Sequence, residues 1–280
     1  MNKESFKVKE KEIEPREVDS VPFLFERGSF SAIFPKGKTI VLFLDFDGTL
    51  SQIVDHPEDA TISDDMKKVL KQCASQFTTA IVSGRDMDDV KKRVGINEVI
   101  YAGSHGFRIS GPGGLAMEQE KMEKLLPVLD RIEEKLLSGF SDGPTGVQVE
   151  RKRYAIAVHY RNADEGSVEE IKNLTGGLLE EFSGIKTGEG KKIIEIRPDV
   201  DWHKGRAVQW ILDSLNLWEN TEILPVYIGD DVTDEDAFRT LYHKGIGILV
   251  GTHGRPTAAR YKLRNVDEVK ILLQKLSGII

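Results

Sequence analysis

The stretch Ile40-Val41-Leu42-Phe43-Leu44-Asp45-Phe46-Asp47-Gly48-Thr49-Leu50 decides the fold. Consecutive apolar residues run straight into two carboxylates. A continuous apolar run, unlike an alternating one, suits a strand covered on both faces, as in a parallel sheet. Three further runs repeat the pattern: Thr79-Ala80-Ile81-Val82 before Ser83-Gly84, Leu224-Pro225-Val226-Tyr227-Ile228 before Gly229-Asp230, and Gly247-Ile248-Leu249-Val250 before Gly251. Helical patterns lie between them. One covers Met66–Gln76; another covers Gly205–Leu215, with Ala207, Trp210, Ile211 and Leu215 on one face. Strand and helix in repetition predict a doubly wound parallel-sheet α/β core.

The middle of the chain reads differently. Gly111-Pro112-Gly113-Gly114 is a strong break. Beyond it the pattern predicts a helix over Glu118–Leu137, kinked at Pro127, and strands at Val147–Glu150 and Tyr154–His159 around Arg151-Lys152-Arg153. A polar helix over Ser167–Phe182 and a strand at Ile193–Ile196 follow. Such a cluster is expected to be a small α+β insert. The expected organisation is therefore an N-terminal extension over 1–38, partly mobile; a catalytic core formed by 39–110 and 199–280; and an inserted cap over 111–198. The aromatic-rich segment Phe23–Phe34 is expected to pack as a helix against the core.

Bulk properties narrow the function. The chain has 280 residues, and at roughly 150 residues per domain that suggests about two domains. Its net charge of −7 argues against a nucleic-acid scaffold but leaves a small anionic substrate open. Cys73 is the single cysteine, so no disulfide forms within the chain, which fits a reducing compartment. Its helical spacing from Val69 and Leu70 marks it as a small buried apolar residue. The N-terminal residues mix charges without an apolar core, and the longest apolar run is Ile40–Leu44. Neither a secretory leader nor a membrane span is expected, and a cytoplasmic location follows from that reading.

Four motifs carry chemistry. Ligands of open α/β sheets bind beyond the carboxyl ends of the strands. Asp45 and Asp47, at i and i+2 of an extended chain, face one side. Such a pair repels unless a cation intervenes, and Mg²⁺ takes hard oxygen ligands. Gly48 frees the backbone to turn, and Thr49 adds a hydroxyl; acidic caps on a helix N-terminus would give the same letters. The segment Gly229-Asp230-Asp231-Val232-Thr233-Asp234-Glu235-Asp236 holds five acids among eight residues, more than helix capping explains. It is not an EF-hand loop, because Val232 occupies a ligand position. Ser83-Gly84-Arg85 offers a hydroxyl and backbone N–H groups for phosphate oxygens, or simply caps a helix. Lys204-Gly205 opens a helix, where a cation opposes the helix dipole; a bound phosphate would give it a reason, and a solvated lysine is the alternative.

Together, Asp-x-Asp-Gly-Thr, Ser-Gly-Arg, Lys and Gly-Asp-Asp in this order resemble the haloacid dehalogenase (HAD) superfamily of phosphotransferases. More narrowly, the chain resembles the trehalose-6-phosphate phosphatases. That likeness rests on Val82-Ser83-Gly84-Arg85 with Asp89-Val90, Gly103-Ser104-His105-Gly106, Ile196-Arg197-Pro198 with Trp202-His203-Lys204-Gly205, and above all Gly229 through Phe238. It runs from about residue 40 to 270 and leaves the first 38 residues outside.

The resemblance implies a HAD-like core with a C2-type cap, and Mg²⁺-dependent hydrolysis of trehalose 6-phosphate. By that likeness Asp45 is the nucleophile that forms an aspartyl phosphate, and Asp47 the general acid and base. Asp45, the Asp47 backbone carbonyl and Asp230 would hold Mg²⁺, with Asp234 nearby through water. Ser83 and Lys204 would bind the phosphoryl oxygens, and Thr49, Gly84, Arg85 and His105 would line the substrate site. Glu150, Lys152 and Glu195 in the cap match residues that bind glucose hydroxyls; Glu150 and Lys152 share a face only if the strand continues through them, and the stretch leading to Tyr154 reads alternatively as a turn. Arg161 and Arg197 are further candidates. His159, alternating with Ala155, Ala157 and Arg161, reads equally as structural; Trp202 and Trp210 are expected in the core. Hinges are expected near Gly111–Gly114 and Arg197–Trp202, closing the cap over the core. The implied partners are a small sugar phosphate and a trehalose-6-phosphate synthase, with no nucleic acid and no membrane. The same motifs also suit a phosphatase for sucrose 6-phosphate or mannosyl-3-phosphoglycerate, or a catalytically silent sensor of trehalose 6-phosphate.

Overall fold

The computed structural model describes residues 13–26, 30–141, 143–190 and 192–278. In chain order the elements are α1 (Phe30–Ile33), β1 (Thr39–Leu44), α2 (Asp64–Gln76), β2 (Thr78–Val82), α3 (Met87–Val94), β3 (Ile100–Gly103), β4 (Arg108–Ser110), β5 (Ala116–Glu118), α4 (Glu120–Glu123), α5 (Leu126–Ser141), β6 (Gln148–Lys152), β7 (Ala155–His159), α6 (Val168–Leu179), β8 (Ile185–Gly190), β9 (Ile193–Pro198), α7 (Lys204–Ser214), β10 (Ile223–Gly229), α8 (Glu235–Leu241), β11 (Ile246–Val250), β12 (Tyr261–Leu263) and α9 (Val266–Leu276). The chain divides into two compact units, Met1–Ala116 with His203–Ile280, and Met117–Trp202. Both divisions fall a few residues beyond those expected at 110/111 and 198/199.

The first unit is built on an eight-stranded sheet in the order β12-β11-β10-β1-β2-β3-β4-β5. β1 runs parallel to both neighbours, with Leu44 level with Ile228 of β10 and Ile81 of β2. Ile40–Leu44 are all buried, which is why the run reads as continuously apolar. From β1 the chain steps out through β2 and β3, then returns on the other side through β10, β11 and β12. Strand order therefore reverses at the β1/β10 boundary, where such sheets open a crevice at their carboxyl ends. Asp45, Ser83 and Asp230 all follow strands that end on that side.

Helices cover the sheet through apolar faces. Ser63 caps α2 by accepting from the Met66 amide, and α2 buries Met66, Val69, Leu70 and Cys73. Burying Met66, Val69 and Leu70 contributes roughly 1.5–3 kcal/mol each relative to exposure. The Cys73 thiol donates to the Leu273 carbonyl of α9 at 3.6 Å.

The N-terminal extension is tied to the first unit where it is described. Arg16 and Thr257 exchange two backbone hydrogen bonds of 2.8 Å. The Lys262 amide of β12 donates to the Pro22 carbonyl, its ammonium donates to the Val18 carbonyl, and it sits over the Phe23 ring. Val18, Val21 and Leu24 are buried. Of the 1–38 extension expected to be partly mobile, residues 1–12 lie outside the described residues. Phe23–Phe34 is not one helix; it contains two single turns, Leu24–Glu26 and α1, with 27–29 outside the described residues.

The second unit has a four-stranded antiparallel sheet, β6-β7-β9-β8. Ile156, Val158, Ile194 and Ile196 from one face pack with Leu129, Ile132 and Leu136 of α5 and Ile171 of α6. The single kinked helix expected over Glu118–Leu137 is instead two helices, separated at Lys124-Leu125. Pro127 lies in the first turn of α5, where an amide proton has no helical partner to lose, so nothing kinks. β6 continues through Lys152, and the turn falls at Arg153-Tyr154. β7 ends at His159, so Arg161 lies beyond the strand. Trp202 and Trp210 are half-buried, not core. Among the described residues no helix is long and apolar enough to cross a membrane.

Candidate active site

The carboxyl end of β1 gathers the acidic motifs around one lysine. Lys204, first residue of α7, is 3 % exposed. Its ammonium donates to Asp45 Oδ1 and Asp234 Oδ1, both at 2.8 Å. A cation at a helix N-terminus opposes the dipole, and here two buried carboxylates compensate it, so Lys204 is not the solvated lysine of the alternative expectation. Removing one member of such a buried pair typically costs ~3–5 kcal/mol. Burial pulls the Lys204 pKa down, but Asp234 and Asp45 together hold it above the ordinary lysine value.

Asp234 is completely buried. Its Oδ1 also accepts from the Tyr227 hydroxyl at 2.6 Å, and its Oδ2 from the Asp231 amide at 3.0 Å. Tyr227 was read only as a residue of β10. Its role as a clamp has no sequence signal beyond facing a carboxylate that returns seven residues later, and burial, then Asp234, pushes its hydroxyl pKa well up. With both oxygens of Asp234 engaged, Asp45 and Asp230 are the more available donors.

Gly48 joins the first and last motifs. It has φ +76°, and a Cβ there would lie 2.1 Å from Asp230 Oδ2. Only glycine fits both the backbone and the approach of that carboxylate. Asp45, Asp230 and Asp234 each offer an oxygen, all within 4.8 Å of one another. Burial above all raises Asp45, against the pull of Lys204. Burial, then Asp234, pushes Asp230 up to about 7. Carboxylates crowded enough to resist ionisation are what a hard divalent cation relieves. In addition, Thr49 Oγ1 is buried without a hydrogen-bond partner among the described residues. The donor set, all oxygen, therefore fits Mg²⁺.

The Asp47 carboxylate stands apart from this cluster. Arg85 grips it through Nε to Oδ2 and Nη2 to Oδ1, both 2.7 Å. The third nitrogen, Nη1, reaches Asp89 Oδ2 at 3.2 Å; Asp89 is held in turn by Arg93 Nε, whose Nη1 donates to the Glu58 and Ala60 carbonyls. Arg85, expected to line the substrate site, is engaged here by two carboxylates, because its planar fork matches carboxylate geometry. Ser83 is fully buried and its Oγ accepts from the Arg85 amide. The 104–106 turn is tied to the same loop, by Ser104 N to Arg85 O and His105 N to Ser83 O. A Cβ on Gly84 would lie 2.9 Å from His105 Cε1, so the imidazole rests on that glycine. Ser104 and His105 both adopt positive φ, 50° and 57°, a conformation non-glycine residues rarely hold.

The sugar-recognition candidates Glu150, Lys152 and Glu195 lie in the second unit. Glu150 and Lys152 share a face of β6, and Glu150, Ala157 and Glu195 stand level across β6, β7 and β9. Glu195 and Arg197 are 3.9 Å apart.

A parallel sheet with carboxylates at its central strand end, a buried lysine facing them and an inserted unit defines the fold of the haloacid dehalogenase-like hydrolases. A solved structure of such a hydrolase from Bacteroides thetaiotaomicron superposes with TM-score 0.61 at 16% identity, covering 85% of this chain and 100% of that one. A family model described as trehalose-phosphatase matches residues 43–267, and the chain belongs to that family. It is 39% identical to the probable trehalose-phosphate phosphatase H of Arabidopsis thaliana over 254 residues, 86% of this chain and 72% of that one. The C-terminal domain of the C. albicans trehalose-6-phosphate phosphatase superposes with TM-score 0.74 at 23% identity, covering 93% of this chain and 99% of that one.

Proposed function

We propose that the protein hydrolyses trehalose 6-phosphate to trehalose and phosphate through an aspartyl-phosphate intermediate. The observation that carries this reading is the buried Lys204 bridging Asp45 and Asp234, beside Asp230, in a chain of the trehalose-phosphatase family. An Asp45 carboxylate oxygen forms a bond to phosphorus as the bond from phosphorus to the sugar oxygen breaks. Asp47 gives a proton to the departing oxygen, then takes one from the water that cleaves the acyl phosphate; such transfers are typically worth ~10²–10⁴-fold. Lys204 and Ser83 hold the phosphoryl oxygens, and Tyr227 and the Asp231 amide keep Asp234 facing Lys204. Asp45, Asp230 and the Asp47 carbonyl, with Asp234 behind them, would hold Mg²⁺, and the charge neutralisation it supplies would act on the phosphoryl group. Keeping the Asp47 side chain out of that ligand set leaves it able to carry a proton. Glu150, Lys152 and Glu195 bind sugar hydroxyls and select the substrate.

A panel of sugar phosphates assayed for phosphate release, with Mg²⁺ and with chelator, tests this. Trehalose 6-phosphate is expected to be preferred, activity to vanish with chelator, and Asp45→Asn to be inactive. Equal turnover of glucose 6-phosphate removes the substrate assignment; an active Asp45→Asn removes the nucleophile.

A further inference from the structure

The four-stranded sheet of the second unit has two unlike faces. Val149, Val158 and Ile194 stand level with one another, as do Arg151, Ile156 and Ile196. This face meets α5: Arg151 pairs with Asp130, and the aliphatic residues join the apolar core. Residues directly opposite on antiparallel strands share a face. The other face therefore carries Glu150, Lys152, Ala155, Ala157, His159 and Glu195. Ala157 stands between Glu150 and Glu195, so the two carboxylates flank a methyl-sized floor.

On this polar face His159 Nε2 donates to Glu150 Oε2 at 2.8 Å, diagonally across β6 and β7. Both side chains are partly exposed, 37% and 43%. A long, half-exposed glutamate on a sheet surface has several rotamers of similar energy, and fixing one costs side-chain entropy on ligand binding. A donor on the adjacent strand fixes it beforehand. Among the described residues only Oε2 is used this way, which leaves Oε1 to accept from a hydroxyl.

We infer that His159 is a positioning residue for substrate selection: it presets the Glu150 carboxylate for a sugar hydroxyl. This rests on the proposed sugar-phosphate reading and extends it to a residue that touches no substrate. The prediction concerns affinity for the sugar, not the phosphoryl chemistry. A phosphate ester without sugar hydroxyls is therefore indifferent to it.

The test compares wild type, His159→Leu and His159→Gln on trehalose 6-phosphate and on p-nitrophenyl phosphate. Leucine keeps bulk and removes the donor; the glutamine amide reaches about as far as Nε2 and restores it. Leucine is expected to raise KM for trehalose 6-phosphate about tenfold, the scale of one hydrogen bond to a charged group, with kcat nearly unchanged. Glutamine is expected to recover most of the loss, and p-nitrophenyl phosphate turnover to be the same in all three. An unchanged KM in His159→Leu overturns the inference. So does a loss shared equally by both substrates, or one that glutamine does not recover, since either marks a packing role. A wild type that releases phosphate from p-nitrophenyl phosphate but not from trehalose 6-phosphate overturns the underlying reading instead.

Discussion

Asp47 and Arg85 form a two-pronged ion pair, both contacts at 2.7 Å, with Arg85 13% and Asp47 43% exposed. The carboxylate assigned to move protons is thus oriented by an arginine that is itself anchored. Asp89 and Arg93 continue the line to the backbone at Glu58 and Ala60.

Replacing Arg85 should therefore harm the proton-dependent half of the reaction most. Arg85→Lys keeps charge but loses the fork. Its kcat on trehalose 6-phosphate is expected to fall ~10–100-fold, part of what a general acid supplies. With p-nitrophenyl phosphate, whose leaving group departs without protonation, the fall should be much smaller. Steady-state kinetics on both substrates decide it; equal losses would mean that Arg85 serves phosphate binding or folding instead.

Gly48 makes a second prediction. Alanine there meets a positive φ and overlaps the Asp230 carboxylate. The backbone term alone costs ~1–2 kcal/mol, which thermal melting would read. Displacing Asp230 should cost more in function: weaker Mg²⁺ dependence and activity at least ~10²-fold down. A fully active Gly48→Ala would show that Asp230 has room to move.

Cys73 gives the pH prediction. Burial above all pushes its pKa from 9.0 to about 11. The folded thiol keeps its proton while an unfolded one has released it, so the shift is stabilising below pH 9 and is lost between about 9 and 11, on the order of 2 kcal/mol in all. Tyr227 and Lys204 are also raised and act in the same alkaline direction. The Cys73→Ala difference isolates the thiol: its melting temperature should fall less steeply over that window than wild type. Thiol reagents should also leave native Cys73 untouched at pH 8, and modification there without unfolding would contradict its burial.

Much of the first unit was legible because β1, β2, β10 and β11 are buried on both faces and end in chemically distinctive residues. Asp45, Ser83 and Asp230 stand out for the same reason, and Lys204 because it places a cation at a helix N-terminus. What stayed hidden was pairing across distance. Lys204 meets Asp45 over 159 positions, and no local pattern encodes that. The Arg85–Asp47 pairing stays hidden because a tripeptide cannot show which carboxylate an arginine fork will meet. β3 and β4 were missed because they are short, and β12 because Tyr261–Leu263 has almost no periodicity to display. The Glu118–Leu137 helix was misdrawn because proline is a breaker inside a helix and a good starter in its first turn.

Residues 16–26 also bear on how molecules of this protein meet one another. An outermost strand normally presents unsatisfied amides and carbonyls to any neighbour able to extend the ladder. At Lys262 that amide is already taken by the chain's own Pro22, and the Phe23 ring lies beneath the lysine and Arg264. The sheet thus carries its own selvedge on the β12 flank, and another copy finds less open backbone there on which to polymerise.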